Sequence, residues 1–265
     1  MQGAGINTPL KEVRLLCAHI LKCSYESVYF SPPSVLTQKQ VKSLEDLITR
    51  RSKLEPLAKI LGFKEFLGNS FFTNEHTLDP RPESETFFEA FTEFFSSPFA
   101  DFTALELGIG TGCLLLSFLL KHPNAKGIGI DKSYKALETA HKNTTLHGLL
   151  DRCLLVQADA LADIPIKQVD LIISNPPYIG DNEPLDKSTL FDPKEALYAA
   201  MDGYLFYNVF AQTLKKHLKT NGYLVIEIGH KQAKKVISIF LKNSWHHKKS
   251  FCDLLGIERI LVFQK

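Results

Sequence analysis

From Phe102 to the C-terminus, short apolar runs of strand length alternate with longer segments of helical period. That alternation constrains the fold more than any other feature. Thr103–Leu107, Lys126–Ile130, Arg152–Gln157, Val169–Ser174 and Tyr223–Ile228 read as strands, and Cys113–Lys121, Lys132–His147, Leu205–Lys219 and Gln232–Asn243 as helices. Alternation of this kind builds a mostly parallel, Rossmann-like α/β sheet with helices on both faces. Two last strands, His246–Cys252 and Arg259–Phe263, are joined only by Asp253–Glu258. A parallel crossover needs about a dozen residues or more, so these two are expected to pair as an antiparallel hairpin.

Upstream the character differs. Val13, Leu15, Leu16, His19 and Ile20, then Val41, Leu44, Leu47 and Ile48, recur at helical spacing, which predicts an all-helical stretch from Thr8 to about Lys59. Ser31-Pro32-Pro33-Ser34 marks a loop between helices, and Thr37 with Gln40 forms a capping-box pattern. Aromatic residues flank Gly68-Asn69, a hairpin signal. Beyond a rigid Pro-rich connection, Phe87, Phe88, Phe91, Phe94 and Phe95 fall on one face of a predicted helix that packs on the sheet. The expected organisation is a helical domain over 1–60, a β-hairpin linker over 61–80 and the α/β domain over 81–265.

Bulk chemistry removes several classes of function. With 31 Lys and Arg against 29 Asp and Glu, the net charge of +2 gives no overall field to gather a polyanion. Five scattered cysteines without a CxxC imply reduced thiols in a cytosolic chain, and nine histidines form no metal-ligand spacing. No apolar run approaches a membrane span, and no signal-peptide core is present at the N-terminus. A cytoplasmic monomer is expected.

Two stretches carry chemistry. In the first, Glu106-Leu107-Gly108-Ile109-Gly110-Thr111-Gly112 follows the first strand of the sheet, and a helix N-terminus follows the glycines. Glycines let backbone approach a ligand, and free N–H groups at a helix start attract a carboxylate. The GxGxG spacing differs from the dinucleotide GxGxxG fingerprint. The second strand ends at Asp131, which can accept the hydroxyls of a ribose or cap the next helix. Asp159-Ala160, after the third strand, either lies near a bound adenine or is an ordinary loop. A ribose, an adenine and a zwitterionic tail occur together in S-adenosylmethionine, which fits these features with S-adenosylhomocysteine as product.

The second stretch is Asn175-Pro176-Pro177-Tyr178. It ends an apolar strand with two prolines that cannot donate to a sheet ladder. Ligands of open α/β sheets bind outside such strand ends. The Asn175 side-chain oxygen and the Pro176 carbonyl can each accept one N–H from a planar amide or amine, and Tyr178 can pack on its flat face. The bland alternative is a Pro-Pro turn with an asparagine cap.

Together these motifs resemble a class I S-adenosylmethionine-dependent methyltransferase. More narrowly, the chain resembles the HemK/PrmC family, the glutamine N5-methyltransferases of peptide-chain release factors. Arg50-Arg51, Glu55-Pro56-Leu57-Ala58, Gly62 and Glu65-Phe66 look like the family's stretch before its hairpin. Thr77-Leu78-Asp79-Pro80-Arg81-Pro82-Glu83-Ser84-Glu85 looks like its TLIPRPETE motif. Phe191-Asp192-Pro193-Lys194-Glu195-Ala196-Leu197 with Asp202-Gly203 looks like its FEPxxAL…DG segment. The resemblance implies a helical domain that helps grip the release factor, a hairpin linker and a catalytic domain. It implies as substrate the glutamine of a Gly-Gly-Gln tripeptide in a class 1 release factor. Gly108, Gly110, Gly112, Asp131 and Asn175 would hold the cofactor, joined by Glu106, Ile109, Thr111, Asp159 and Ala160. Asn175, Pro176, Pro177 and Tyr178 would hold the glutamine amide, with Asn175, Pro176 and Tyr178 as catalytic residues. Ile109, Asp79 and Ala160 depart from the family pattern.

An adenine or guanine exocyclic amine would fit the same pocket if a base were flipped into it, so a nucleic-acid amino methyltransferase is the alternative. The near-neutral charge and the scarcity of stacking aromatics in the helical region oppose it. A non-catalytic ribosome- or factor-binding module is opposed by the intact glycine loop, Asp131 and Asn175. Nine lysines over 215–249 read as a solvated face, and His246-His247 as ordinary surface at the sheet edge. The long connection from Ile179 to Tyr204 reads as a functional loop that closes over substrate.

Overall fold

A computed structural model describes residues 5–32, 35–162, 164–181 and 183–265. Pro33 and Ser34 of the expected interhelical loop, and Asn182 of the long connection, lie outside them. Two units are present, Met1–Phe63 with Leu185–Phe191, and Lys64–Pro184 with Asp192–Lys265. No helix among the described residues is long and apolar enough to cross a membrane.

The smaller unit holds α1 (Pro9–Leu21), α2 (Tyr25–Phe30), α3 (Gln38–Ser52) and α4 (Leu57–Leu61). Thr37 and Gln40 form the capping box at the start of α3: Gln40 N–H donates to Thr37 Oγ1, and Thr37 N–H to Gln40 Oε1. The Arg51 guanidinium on α3 pairs with Glu12 on α1 at 2.5 Å. The apolar stripe of α3 is only partly covered, and no residue of that helix is buried.

The predicted hairpin follows, β1 (Phe63–Phe66) and β2 (Asn69–Phe72), and from Lys64 on it belongs to the larger unit. Its turn residues Leu67 and Gly68 both adopt positive φ, 50° and 73°, as a two-residue primed turn requires. A 3-10 turn over Pro82–Thr86 then leads into α5 (Phe87–Phe94). Phe94 and Phe95 meet Tyr223 of the sheet at 5.1 and 5.7 Å between ring centres, so the phenylalanine face packs on the sheet as expected.

Seven strands form the sheet: β3 (Thr103–Leu107), β4 (Lys126–Asp131), β5 (Cys153–Gln157), β6 (Val169–Ser174), β7 (Leu218–Glu227), β8 (His246–Cys252) and β9 (Glu258–Gln264). Their order is β5-β4-β3-β6-β7-β9-β8. The first five run parallel, and β9 is antiparallel to both β7 and β8. Side chains alternate between two cores. Leu171 and Ile173 of β6 join the core under α5, α6 (Cys113–Lys121) and α7 (Tyr134–Leu146). Ile172 joins the core under α8 (Leu205–Thr213) and α9 (Ala233–Lys242). Such strands, covered on both faces, read as the continuous apolar runs seen in the sequence.

One boundary differs from expectation. The helix expected to reach Lys219 ends at Thr213, a 3-10 turn follows to His217, and β7 starts at Leu218. The polar run Lys219-Thr220-Asn221-Gly222 shows no strand period. Leu218 is nevertheless fully buried and pairs with Val169 across an irregular register, and Lys219 reaches Asp170 at 2.7 Å. Within the connection from 179 to 204, Ile179 bridges Tyr198, and short 3-10 turns occupy Lys187–Phe191 and Lys194–Ala196.

Candidate active site

Strand register brings the two chemical stretches together. Leu107 at the end of β3 pairs with Ile130 on one side and Ser174 on the other. The next residues in the three chains are Gly108, Asp131 and Asn175, so loop, carboxylate and amide emerge side by side at the carboxyl edge of the sheet. This is the topological switch point where α/β sheets bind ligands. Ile109 N–H donates to the Ile130 carbonyl, and the Ser174 hydroxyl to the Leu107 carbonyl, which fixes the row.

The glycine loop is held from beneath. Glu106 is buried, and its carboxylate accepts the N–H of Leu115 in the first turn of α6. Burial pushes its pKa well above the ordinary value, against that hydrogen bond. Thr111 Oγ1 accepts the N–H of Cys113, so at least two groups of the α6 N-terminus are already satisfied by protein atoms. The helix start is thus less open to a carboxylate than its sequence position suggests. Gly108 and Gly110 adopt φ of 70° and 53°, and a Cβ on either would meet nothing within 4 Å. Open room above a left-handed backbone is what a closely approaching ligand needs. Ile109 is buried, and its Cδ1 packs so closely over Gly129 that a Cβ there would lie 2.1 Å away. The absent side chain at Gly129 is what makes room for isoleucine in the loop.

Asp131 is half-buried. Oδ2 accepts the N–H of Gly110 and Oδ1 that of Ser133, while burial raises its pKa against both bonds. The cap of α7 is Ser133, not Asp131, since Ser133 Oγ accepts the Ala136 N–H. Ala158 N–H donates to the Asp131 carbonyl, so Asp159 and half-buried Ala160 continue from the strand edge beside it. Asp159 is exposed and closes its own turn through the Leu161 N–H.

The Asn-Pro-Pro-Tyr segment is clamped by residues far away in sequence. Asn175 Nδ2 lies 3.4 Å from Ser84 Oγ, and Ser84 donates to Glu227 Oε2 at 2.5 Å. The Tyr178 hydroxyl reaches Glu227 Oε1 at 3.4 Å, and the Tyr178 carbonyl accepts from Gln232 Nε2 at 2.9 Å. Gln232 Oε1 in turn accepts the Gly229 N–H and the Tyr207 hydroxyl. Pro176 is buried, Pro177 half-buried. Ile179 exchanges backbone bonds with Leu197 and Ala199. Asp79, where the family pattern has an apolar residue, is buried and accepts the Thr73 hydroxyl, and its own N–H donates to Asp192. Arg81 pairs with Asp192 at 2.5 Å, so the Pro-Arg-Pro and Phe-Asp-Pro segments meet.

Ser84, Glu227 and Gln232 are the site residues that sequence reasoning did not single out. A usable signal existed for Glu227: like Asp131 it is an acid that ends an apolar strand, one residue past Ile226, which pairs with Ser174. Burial pushes the Glu227 carboxyl up from 4.5 to about 7, partly offset by Ser84 and Arg259. Below pH 4.5 both folded and unfolded chains hold this proton. Between 4.5 and 7 only the unfolded chain releases it, so the folded state loses stability as pH rises, by up to about 3 kcal/mol from this group. The stability of wild type relative to Glu227→Gln, read from melting curves between pH 5 and 8, is expected to fall as pH rises to about 7 and to level off above it. Parallel curves across that range would contradict it.

Comparison with known proteins gives the same class. Residues 1–62 match the PrmC N-terminal domain and residues 84–190 the methyltransferase small domain. A methyltransferase from Pyrococcus furiosus shares the fold at a TM-score of 0.55, with 16% identity over 87% of this chain and 99% of that one. The sheet order is that of a class I methyltransferase fold. Release factor glutamine methyltransferase of Rhodospirillum rubrum is 34% identical over 100% of this chain and 82% of that protein. The bifunctional methyltransferase of Rickettsia bellii is 33% identical over 98% of this chain but 52% of its own length. The chain thus spans about half the length of the bifunctional relatives it matches. It belongs to the release factor glutamine methyltransferase family.

Proposed function

We propose that this protein transfers a methyl group from S-adenosylmethionine to the side-chain amide nitrogen of the glutamine in the Gly-Gly-Gln motif of class 1 release factors. The observation that carries the reading is the row Gly108, Asp131 and Asn175 at one sheet edge, with Pro176 and Tyr178 beside it. The open backbone over Gly108 and Gly110 suits a bound cofactor. Asp131 would take its ribose, Ile109, Thr111 and Gly112 would shape the loop around it, Glu106 would brace that loop, and Asp159 and Ala160 would border the adenine. When bound, S-adenosylmethionine supplies an electrophilic methyl group.

The residues of this chain supply positioning. An amide nitrogen is a poor nucleophile because its lone pair is delocalised. Asn175 Oδ1 and the Pro176 carbonyl each accept one N–H of the substrate amide, which fixes the nitrogen and leaves one face of it free. Tyr178 and Pro177 pack on the plane of the group. Orientation of this kind contributes up to roughly 7–11 kcal/mol. The helical unit would help grip the factor, and it presents Phe30 at 77% and Leu10 at 62% exposure as apolar contact points. The hairpin serves as linker and the 179–204 connection as the loop over the substrate. The near-neutral net charge supports a protein partner rather than stable nucleic-acid binding, and we take the enzyme to be a cytoplasmic monomer.

Incubation with isotopically labelled cofactor, a release factor and bulk tRNA, rRNA and DNA tests the substrate class. Label is expected on the factor; label confined to nucleic acid would favour the amino-methyltransferase alternative. Asp131→Ala is expected to weaken cofactor binding by roughly 1.5–3 kcal/mol, the loss of hydrogen bonds to a charged acceptor. An unchanged dissociation constant by titration calorimetry would remove the ribose assignment.

A further inference from the structure

We propose that Ser84 and Glu227 form a proton-ordered relay that sets which end of the Asn175 amide faces the substrate, making both positioning residues for the methyl transfer. This rests on the glutamine-amide reading above and deepens it. An asparagine amide offers an acceptor and two donors, and only the acceptor end can hold a substrate N–H. Strand geometry places Asn175 but does not by itself choose its flip.

The choice is made by three buried or half-buried groups in a line. Ser84 and Glu227 are 3% and 2% exposed, so water does not compete for their bonds. An ionised Glu227 carboxylate can only accept. The single Ser84 proton therefore goes to Glu227 Oε2, at 2.5 Å. Ser84 Oγ is left as an acceptor, and the group 3.4 Å away that can fill it is the Asn175 NH2. With Nδ2 turned toward Ser84, Oδ1 faces the opposite way. The second Glu227 oxygen accepts from the Tyr178 hydroxyl at 3.4 Å, so one carboxylate orders both side chains that bracket the amide site. Burial raises the Tyr178 pKa, which keeps that hydroxyl a donor.

Protonation reverses the order. A neutral Glu227 can donate to Ser84 Oγ, which frees the serine proton to meet Asn175 Oδ1 and favours the wrong flip. The groups facing this carboxyl are Arg259 on β9, Glu83 and Ser84 in the turn before α5, Tyr178 after β6, Tyr207 on α8 and the Cys113 thiol at the start of α6. Arg259 favours the ionised form, and Glu83 and burial oppose it. The turnover number is thus expected to rise with pH through about 7, where Glu227 ionises.

The test compares wild type, Ser84→Ala, Ser84→Thr and Glu227→Gln on a release factor, with cofactor affinity and melting temperature as controls of the fold. Ser84→Ala is expected to lower kcat on the order of 10- to 100-fold, as a misplaced positioning group does, with KM for the factor and cofactor affinity nearly unchanged. Ser84→Thr keeps the hydroxyl and regains most of the loss. Glu227→Gln lowers kcat and flattens the limb near pH 7. If Glu227→Gln does not fold, the split between kcat and KM in Ser84→Ala and its rescue by threonine decide alone. A labelled factor with kcat and pH profile alike in wild type and Ser84→Ala overturns the relay only. Cofactor bound but no methylation of the factor by wild type overturns the glutamine reading and the relay together.

Discussion

Replacing Asn175 with alanine is expected to lower the turnover number by roughly 10²–10³-fold, the loss typical when one preorganised hydrogen-bonding group is removed from a reacting centre. The fold is expected to survive. Asn175 is half-buried at the end of β6, outside both hydrophobic cores, and among the described residues its side-chain bond is the long contact to Ser84. Ile173 and Ser174, which precede it, carry the ladder to β3 and β7 without its side chain. Steady-state kinetics paired with thermal melting separate the two effects. A wild-type rate in a folded Asn175→Ala variant would reject the positioning mechanism.

A second large effect is expected far from the reacting amide in sequence. Gly203 adopts φ of 84°, and a Cβ built there would lie 2.1 Å from the Tyr178 carbonyl oxygen. That oxygen belongs to backbone already clamped by Gln232 and cannot swing aside as a side-chain tip would. Gly203→Ala therefore either strains its own backbone, at about 1–3 kcal/mol, or displaces Tyr178 and the prolines before it. A displacement near 1 Å at a positioning group can cost about 10²-fold in rate. The expected result is a lower kcat together with a lower melting temperature, in contrast to Asn175→Ala, where only kcat falls. Unchanged values of both would mean that the contact between residues 203 and 178 does not hold the site. This contact gives a physical reason for the Asp202-Gly203 pair in the resembled motif.

Wherever local chemistry decided, sequence and structure agree. Thr37 and Gln40 cap α3, the hairpin forms with its turn at Leu67-Gly68, one residue before the Gly68-Asn69 signal, and the short link from Asp253 to Glu258 forces β8 and β9 antiparallel. The row of Gly108, Asp131 and Asn175 was accessible because each residue ends a strand of recognisable pattern. The start of β7 was not, because Lys219 to Gly222 are polar and enter the sheet only through partners on β6. The clamp around Asn175 was hidden for a related reason. Ser84, Asn175 and Glu227 are joined by side-chain bonds across 91 and 143 residues of sequence separation, and such bonds leave no periodicity to read. Asp131 is also a residue type that caps helices; Ser133, two residues on, takes that role.

In the proposed reaction the amide held by Asn175 and Pro176 is the glutamine of a Gly-Gly-Gln tripeptide. Tandem mass spectrometry of a release factor treated with the enzyme and S-adenosylmethionine tests this most directly. One added methyl is expected on the side-chain nitrogen of that glutamine, absent when Asn175→Ala replaces the wild type. A methyl found on any other residue, or an unmodified tripeptide beside methylated nucleic acid, would contradict it.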